Sequence, residues 1–358
     1  MIRNIIICIS VIGCCLSVPL RAQVTGGMYA FEYLRMSNSP YISALGGIAP
    51  ANPDRNVSLA LQNPSLLRPS FHKQASLNYN AFYGGIHIAN VQYAHHLDKS
   101  KTDVAIGVQY LNYGQLDYND IYGNTNGTFN AADYSINLSA SRQYLEKWRN
   151  GMTLKWAHSM LGDVSGSAVL GDFGISYFDT VKLITIGAVA KNIGFTAKRF
   201  NPNYVAEPLP FDLQLGITKQ LFVVAHHLNR WNIRYDNPAD KVKNIFVQED
   251  TTAPEKKYFG DKFFRHLNFG AEIIFAKRVT FSAAYSHLRR KENGVDNSQG
   301  AAGFSFGLSV ELNKMQIRYG RSYYGSSGAY NEFGFNLQLD KFISKKTSAE
   351  SLGWNTHQ

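Results

Sequence analysis

Cysteine is scarce in this chain, and the few that exist are confined to its beginning. Cys8, Cys14 and Cys15 are the only three among 358 residues, and all precede the end of a predicted leader. The mature chain is therefore expected to contain neither disulfides nor reactive thiols. An exported protein without disulfides needs another source of stability, and a closed β-barrel supplies one by pairing every strand edge.

The leader, residues 1–22, has the features of a secretory signal peptide. Arg3 gives it a charged start, Ile5 to Val18 an apolar stretch, and Ala22 ends a small-residue cleavage site. A transmembrane anchor is disfavoured because the apolar stretch is shorter than the roughly 20 residues that span a bilayer. Lipidation at Cys14 is a second alternative, but it would leave a very short leader.

Long hydrophobic runs are also missing after the leader. None approaches the roughly 18 residues of a transmembrane helix, so no membrane-spanning helix is predicted. Instead, apolar residues alternate with small or polar ones, most clearly at Phe304, Phe306, Leu308, Val310 and Leu312, and again at Phe333, Phe335, Leu337 and Leu339. Successive side chains of a strand point to opposite faces. The polar face would meet water in a soluble sandwich, whereas in an outer-membrane barrel it lines the lumen and the apolar face meets lipid.

Alternating segments of this kind recur along the chain with turn signals between them. About fourteen strands are predicted: Ala75–Tyr83, Ile86–His95, Thr102–Tyr113, Ala131–Gln143, Gly151–Met160, Val169–Phe178, Lys182–Asn192, Phe211–Lys219, Leu221–Asn229, Leu267–Phe275, Val279–His287, Ala302–Leu312, Met315–Arg321 and Ala329–Leu339. Ile86–His95 changes parity midway, which predicts a bulge. The 21 Tyr and 22 Phe suit the aromatic girdles of a barrel.

Connection lengths favour the barrel over the sandwich, because bacterial barrels alternate short periplasmic turns with longer outer loops. Short connections are expected at Glu146–Asn150, Asp179–Val181, Lys219–Gln220, Ala276–Arg278 and Asn313–Lys314. Long ones are expected at Gly114–Thr128, Gly194–Pro210, Arg230–Arg265 and Leu288–Gly300, with intermediate loops at Leu161–Ala168 and Ser322–Gly328. The prediction is an all-β fold, a single-chain antiparallel transmembrane β-barrel of about fourteen strands with an N-terminal plug.

The predicted organisation has four parts. A signal peptide at 1–22 precedes a plug or periplasmic lead-in at 23–70, the barrel follows at 71–342, and a periplasmic tail ends the chain at 343–358. The second part does not alternate and is rich in Gly and Pro. Asn63-Pro64 favours a turn there.

Composition and motifs point away from nucleic acid and from catalysis. The formal charge of +10 includes Arg3 and Arg21, so removal of the leader leaves +8. Anionic lipid headgroups of the outer membrane are the expected partner, since no Lys/Arg run with interleaved aromatics marks a nucleic-acid surface. Ser70 to Lys73 matches S-x-x-K without the companion motifs of that enzyme class. No catalytic residue, cofactor or metal ligand is predicted.

Two histidine pairs and one long loop are candidate sites. Neither His95-His96 nor His226-His227 makes a metal site alone, because neighbours on a strand face opposite sides. The Arg230–Arg265 loop is the predicted partner-binding surface, since long loops are usually functional or disordered. Its candidate residues are Trp231, Tyr235, Asp236, Asp240 and Tyr258, and its acidic spacing fits no EF-hand calcium loop.

The blocks Phe31-Glu32-Tyr33-Leu34-Arg35, Ala44-Leu45-Gly46-Gly47 and Leu61-Gln62-Asn63-Pro64-Ser65-Leu66-Leu67 resemble the N-terminal signature of the PorQ family. His226 to Pro238 and the Gly303–Tyr323 hairpin also resemble that family, so the likeness runs over nearly the whole mature chain. Gln62, Asn63, Pro64 and Ser65 correspond to the plug motif of the related FadL-type fatty-acid transporters, with Ser65 where that motif has Ala.

The resemblance implies a non-catalytic outer-membrane component of the type IX secretion system of Bacteroidetes-type bacteria. Its expected partners are a PorZ-like surface protein and the PorU–PorV pair of the attachment complex, which processes cargo and links it to the cell surface. Two alternatives stay open: a FadL-like passage for hydrophobic small molecules, and a PorV-like cargo shuttle.

Overall fold

The computed structural model describes residues 29–120, 122, 124–203, 205–220, 225–229, 264–275, 278–292, 300–325 and 328–343. These residues form fourteen strands, each antiparallel to its neighbours in sequence. Their bounds are β1 Gln74–Ala81, β2 His87–Leu97, β3 Thr102–Asn119, β4 Thr125–Leu145, β5 Trp148–Leu161, β6 Val164–Asp179, β7 Ile184–Lys198, β8 Asp212–Lys219, β9 Ala225–Asn229, β10 Leu267–Phe275, β11 Val279–Ser286, β12 Phe304–Glu311, β13 Met315–Gly325 and β14 Gly328–Gln338.

The sheet closes on itself. β1 pairs with β2 on one side and with β14 on the other, where Gln74 lies opposite Gln338 and Ala81 opposite Asn331. A closed ring leaves no strand edge unpaired along the wall, which a barrel in lipid requires because hydrocarbon cannot satisfy backbone groups. The predicted fold class is confirmed.

The outer face of this wall is apolar and the inner face polar. On β12, Phe306 and Leu308 are 39% and 44% exposed, whereas Ser305 between Phe304 and Phe306 is 1% exposed. The same pattern recurs on other strands, so a belt of Leu, Ile, Val and Phe covers the outside of the closed ring. Such a belt on a closed antiparallel barrel fits a lipid bilayer and not water, and the chain is an integral outer-membrane protein. None of the helices among the described residues is long and apolar enough to cross a membrane.

Residues 29–73 lie inside the ring as a plug of short helices and turns. A helix, α1 Pro40–Ala44, lies among four 3₁₀ turns at Glu32–Arg35, Val57–Leu61, Pro64–Leu66 and Pro69–Phe71. A fifth 3₁₀ turn, Tyr83–Gly85, joins β1 to β2, while α2 His287–Glu292 follows β11 and α3 Asp340–Ile343 follows β14.

Local sequence explains where the plug helices begin. Ser39 caps α1 because its hydroxyl accepts a hydrogen bond from the Ile42 N–H at 3.3 Å, and Pro40 occupies the first turn, where a missing N–H costs nothing. Asn56 caps the Val57–Leu61 turn in the same way, through the Ser58 N–H at 2.9 Å. Such capped single turns need the surrounding wall, since isolated helices of this length are not stable in water.

Two expectations about the strands are wrong. β2 carries no bulge, because its pairing runs without a register shift on both sides, from His87 to Ala94 against β1 and from His87 to Leu97 against β3. The loops expected at 114–128, 161–168 and 322–328 are mostly strand. Sequence alternation failed to mark these extensions because both faces of a strand beyond the lipid are wet, so neither needs to be apolar.

The wall is uneven in height. β3 and β4 have 18 and 21 residues, whereas β1, β8, β11 and β12 have eight each. The extra length forms a two-stranded projection at the outer rim. We call this projection the outer ribbon, and it consists of residues 113–119 of β3 and 125–130 of β4.

Candidate functional site: the plugged lumen and the outer rim

The predicted motif Gln62-Asn63-Pro64-Ser65 lies buried at the centre of the plug. The Asn63 side chain orders the turn, since its Oδ1 accepts from the Ser65 N–H at 3.1 Å and from the Ser65 hydroxyl at 2.7 Å. Its Nδ2 donates to the Pro50 carbonyl at 2.8 Å, which ties two plug segments together. Gln62 donates to Asn38 Oδ1 at 3.1 Å.

Glycines on the inner face of the wall make room for the plug. A Cβ on Gly151 would lie 2.5 Å from the backbone of Pro64 and Ser65, and one on Gly174 would overlap the Asn63 amide. The same relation holds where other plug residues touch the wall, at Gly187 and Gly216 against Pro50, at Gly307 against Ala44, and at Gly320 and Gly334 against Pro40. Plug backbone comes this close at Gly151, Gly187 and Gly320, and plug side chains do so at the other four glycines, so the plug is seated at fixed positions of the ring.

A partly buried ion pair joins the plug to the wall. The Arg318 guanidinium on β13 lies 2.6 Å from the Asp54 carboxylate and 4.2 Å from the ring centroid of Tyr41. The Tyr41 hydroxyl donates in turn to Glu272 of β10 at 3.1 Å and accepts from Asn52. Burial, with the nearby Glu272 carboxylate, raises the pKa of Tyr41, so this phenol stays protonated and can donate.

Arg68 closes the periplasmic end of the plug. Its guanidinium donates to the carbonyls of Pro53 and Asp54 and lies over the rings of Phe71 and Phe178. Burial lowers the pKa of Arg68 to about 10, which leaves it charged at neutral pH. The carbonyls and aromatic faces offset the loss of water around that charge.

Three histidines meet beside the plug's exit into β1. The His72 and His95 rings lie 4.6 Å apart, and His72 Nδ1 accepts the His96 backbone N–H at 3.0 Å. His96 contacts Asp103 at 2.6 Å, and Asp103 is also bound by Arg149. Within the described ranges, no group of three or more His, Cys, Asp or Glu is arranged to hold a metal ion.

The space left between plug and wall at mid-lumen is small. A cavity of about 10 Å³, enough for one water, is lined by Leu34, Met36, Asn38, Leu61, Gln62, Gln109, Asn137, Lys155 and Lys191. Lys155 is bound there by Asp172 at 2.6 Å and by Asn192 Oδ1 at 2.9 Å. No hydrocarbon chain fits this cavity.

A larger groove opens at the outer rim. It has a volume of about 460 Å³ and is lined by Asp163, Val164, Ser165, Lys198, Arg199, Phe200 and Pro202. Phe200 reaches the plug, with its ring centroid 5.6 Å from that of Phe31. Both belong to an apolar cluster that continues into the lumen through Leu34, Leu111 and Leu170.

The candidate partner-binding residues belong to the predicted Arg230–Arg265 loop. Trp231, Tyr235, Asp236, Asp240 and Tyr258 lie outside the described residues. His226 and His227 are placed on β9 by their backbone alone.

Comparison with known proteins gives structural neighbours only. No family model and no curated protein matches the chain. Solved structures with a similar barrel include the Pseudomonas putida toluene transporter TodX, at 10% identity over 85% of this chain and 98% of that one with a TM-score of 0.48. The monoaromatic hydrocarbon channel CymD follows at 13% identity, over 86% and 97%, with a TM-score of 0.43.

A Pseudomonas aeruginosa FadL homologue has 10% identity over 84% of this chain and 97% of that one, with a TM-score of 0.39. These neighbours are FadL-type outer-membrane barrels, and their names describe transporters and channels. At such identities and TM-scores the likeness carries no argument about what this chain does.

Sequence reasoning predicted the turn at Asn63-Pro64 but missed its partners on the wall. Inward-facing glycines such as Gly151, Gly174 and Gly334 recur in the alternating pattern, and they could have been read as contact points for a lumenal segment. Nothing local to Asp54 marks Arg318 as its partner, because 264 positions separate them.

Proposed function

We propose that this chain is a non-catalytic outer-membrane component of the type IX secretion system that anchors surface partners of its attachment complex. The observation that carries the proposal is that, within the part of the chain that the structure describes, the plug occupies the lumen. Where a passage would run, the plug is seated on glycines of the wall and held by the Asp54–Arg318 pair. A barrel blocked in this way acts through its surface.

The resemblance to the PorQ family supplies the proposed partners. They are a PorZ-like surface protein and the PorU–PorV pair, beside the outer-membrane lipid that surrounds the belt. A rigid membrane-bound body with an elongated projection at its outer rim suits the holding of such a partner, because binding to a preformed surface loses little conformational entropy.

Affinity purification of the full chain from native outer membranes tests this proposal. We expect a PorZ-like surface protein to co-purify in a fixed ratio, and the same protein to be shed into the medium when this gene is deleted. Recovery of the barrel alone under mild detergent, with unchanged surface retention, would contradict the anchoring role.

A hydrophobic passage is the second candidate, and the outer groove favours it. A volume of about 460 Å³ is within the range of small-molecule sites, and Phe200 connects it to the apolar cluster inside the outer lumen. Passage would require the plug to move, because the mid-lumen cavity holds no more than a water.

Uptake of a labelled fatty acid or monoaromatic compound into vesicles containing the purified barrel separates the two functions. An anchor with a fixed plug gives the same uptake as empty vesicles. Uptake that rises with barrel content and falls on Phe200→Asp substitution would establish the passage. A PorV-like shuttle would instead be shown by cargo sorting domains that bind the barrel alone.

A further inference from the structure

The backbone edge of β3 at the outer rim is open. β2 pairs with β3 only as far as His87 opposite Asn112, whereas β4 continues to pair with β3 as far as Asn119 opposite Thr125. Among the described residues, no backbone hydrogen bond reaches the other edge of residues 113–119. Seven residues at about 3.3 Å each carry this open edge roughly 20 Å beyond the last pair with β2.

Both faces of this ribbon are also uncovered. Residues 115–119 are exposed without alternation, and Tyr118 is 62% exposed. Every described residue from 124 to 130 is exposed except the half-buried Phe129. Tyr113 and Asn130 at the base of the ribbon still bond to the barrel, through Asp133 and the Gly162 N–H, whereas residues 115–119 stand clear of the wall.

The composition of the ribbon lacks the side chains that most often protect an exposed edge. Natural proteins protect exposed edges with Lys, Pro or bulges. Residues 113–130 contain no Lys, Arg or Pro, and their only charged residues are Asp117 and Asp120. Register shifts on either side of Gln115–Asp117 confine regular pairing to a short stretch. Tyr, Asn and Thr fill most of the remaining positions, as in surfaces that recognise other proteins.

We propose that this edge takes up an extended, basic segment of a surface protein as an added strand. Main-chain hydrogen bonds to Gln115–Asn119 would supply the affinity, and Lys or Arg of the segment beside Asp117 would set its register. A second copy of this chain is disfavoured as the occupant, because two identical acidic edges repel each other. The inference deepens the proposed anchoring function, on which it rests for the presence of a surface partner.

Photo-cross-linking in intact cells tests the edge directly. Since the cysteines lie in the predicted leader, Tyr118→Cys gives a mature chain with a single thiol, to which a benzophenone maleimide can be attached. We expect one protein adduct, whose cross-linked peptide contains Lys or Arg within a β-forming stretch. Adducts to lipid alone, to a second copy of the barrel or to an acidic segment, or no adduct, would overturn the proposal.

A second experiment blocks strand pairing at the β3 edge by substitution. Asp117→Lys combined with Asn119→Lys places the usual protective residue on the edge, and we expect the adduct yield to fall at least tenfold. Asn203→Lys, in the exposed β7–β8 connection, is the matched control and should leave the yield unchanged. An adduct that survives the double substitution would refute edge pairing, provided that heat-modified gel mobility shows all variants folded.

The outcomes separate this inference from the anchoring function. If the partner still co-purifies with the doubly substituted variant and no adduct forms with the Tyr118→Cys variant, anchoring stands and the edge is not the dock. If the barrel purifies without an attachment-complex protein while the Tyr118→Cys variant still labels a basic extended segment, edge pairing stands and the proposed function falls.

Discussion

The carboxylate of Asp54 in the plug lies 2.6 Å from the guanidinium of Arg318 in the wall, across 264 positions of sequence. The Arg318 side chain is buried, with an exposure of 6%, whereas Asp54 is partly buried, with an exposure of 26%. At this distance the attraction between the two opposite charges offsets the free-energy cost of removing either charge from water. The pair therefore couples the position of the plug to the closed ring.

Removal of one partner should loosen the plug. Asp54→Asn leaves the buried Arg318 with no opposite charge at this contact, at a cost of up to about 3 kcal/mol because the pair is only partly buried. We expect faster proteolysis between residues 29 and 73 and a lower unfolding temperature in detergent. Asp163→Asn, in the exposed β5–β6 turn, serves as control. Equal proteolysis of the two variants would show that the pair does not hold the plug.

Gly174 tests the seating of the Asn63 turn. A methyl group there overlaps the Asn63 amide, so Gly174→Ala should displace the turn at a cost of about 1–3 kcal/mol. Gly171→Ala on the same strand is the matched control, because its Cβ would lie 3.7 Å from the nearest atom. Planar-bilayer recordings should show brief openings only for the Gly174 variant. Silent recordings from both, with equal stability, would argue against a tightly seated plug.

Acid should weaken the link between plug and β1. Burial, together with His95 and Lys73, lowers the pKa of His72. The unfolded chain then takes up the proton before the folded one, so this contribution to stability is complete above about pH 6.5 and is lost as the pH falls through the lowered value. Protonation also removes the acceptor for the His96 N–H.

Thermal unfolding from pH 8 to pH 5 measures this effect. His72→Gln keeps an acceptor without a titratable group, and we expect a flatter dependence on pH. His87→Gln, at the opposite end of β2, is the control and should retain the parental slope. A parental slope in the His72 variant would show that His72 is not the source of the acid sensitivity.

The lipid-facing belt is tested at Leu215, near the middle of β8 and 45% exposed. Arginine at mid-bilayer on the outer face of a barrel costs about 2–4 kcal/mol. Leu215→Arg should therefore fold poorly into lipid vesicles, while Val205→Arg in the β7–β8 connection folds normally. Equal folding yields would mean that β8 does not face hydrocarbon.

The sequence predicted which side chains face outward, because every strand needs apolar side chains where it contacts lipid. Phe304, Phe306 and Leu308 are exposed on one face of β12 as their alternation indicated. The turn at Asn63-Pro64 was also predicted, since its turn chemistry is local. Contacts across the lumen were not predicted. Their polar and glycine residues contact partners far away in the sequence, such as Arg318, and produce no periodic sequence pattern.

The ends of the strands were not predicted correctly, for a different reason. Where β3 and β4 leave the membrane, both of their faces meet water, and no pattern separates a projecting ribbon from a loop. The parity change in β2 suggested a bulge for the converse reason: the burial of Ile88 and Ala94 against the plug makes inner positions apolar.

Strands of only eight residues have a mechanical consequence for the surrounding bilayer. With a tilt near 40°, β1, β11 and β12 rise about 20 Å, whereas an outer-membrane barrel usually presents an apolar band about 25 Å tall. The acyl chains beside these strands must shorten, or the cylinder must lean toward them. Either response marks the flank at β11 and β12, across the ring from β4, as a thin place in the leaflet.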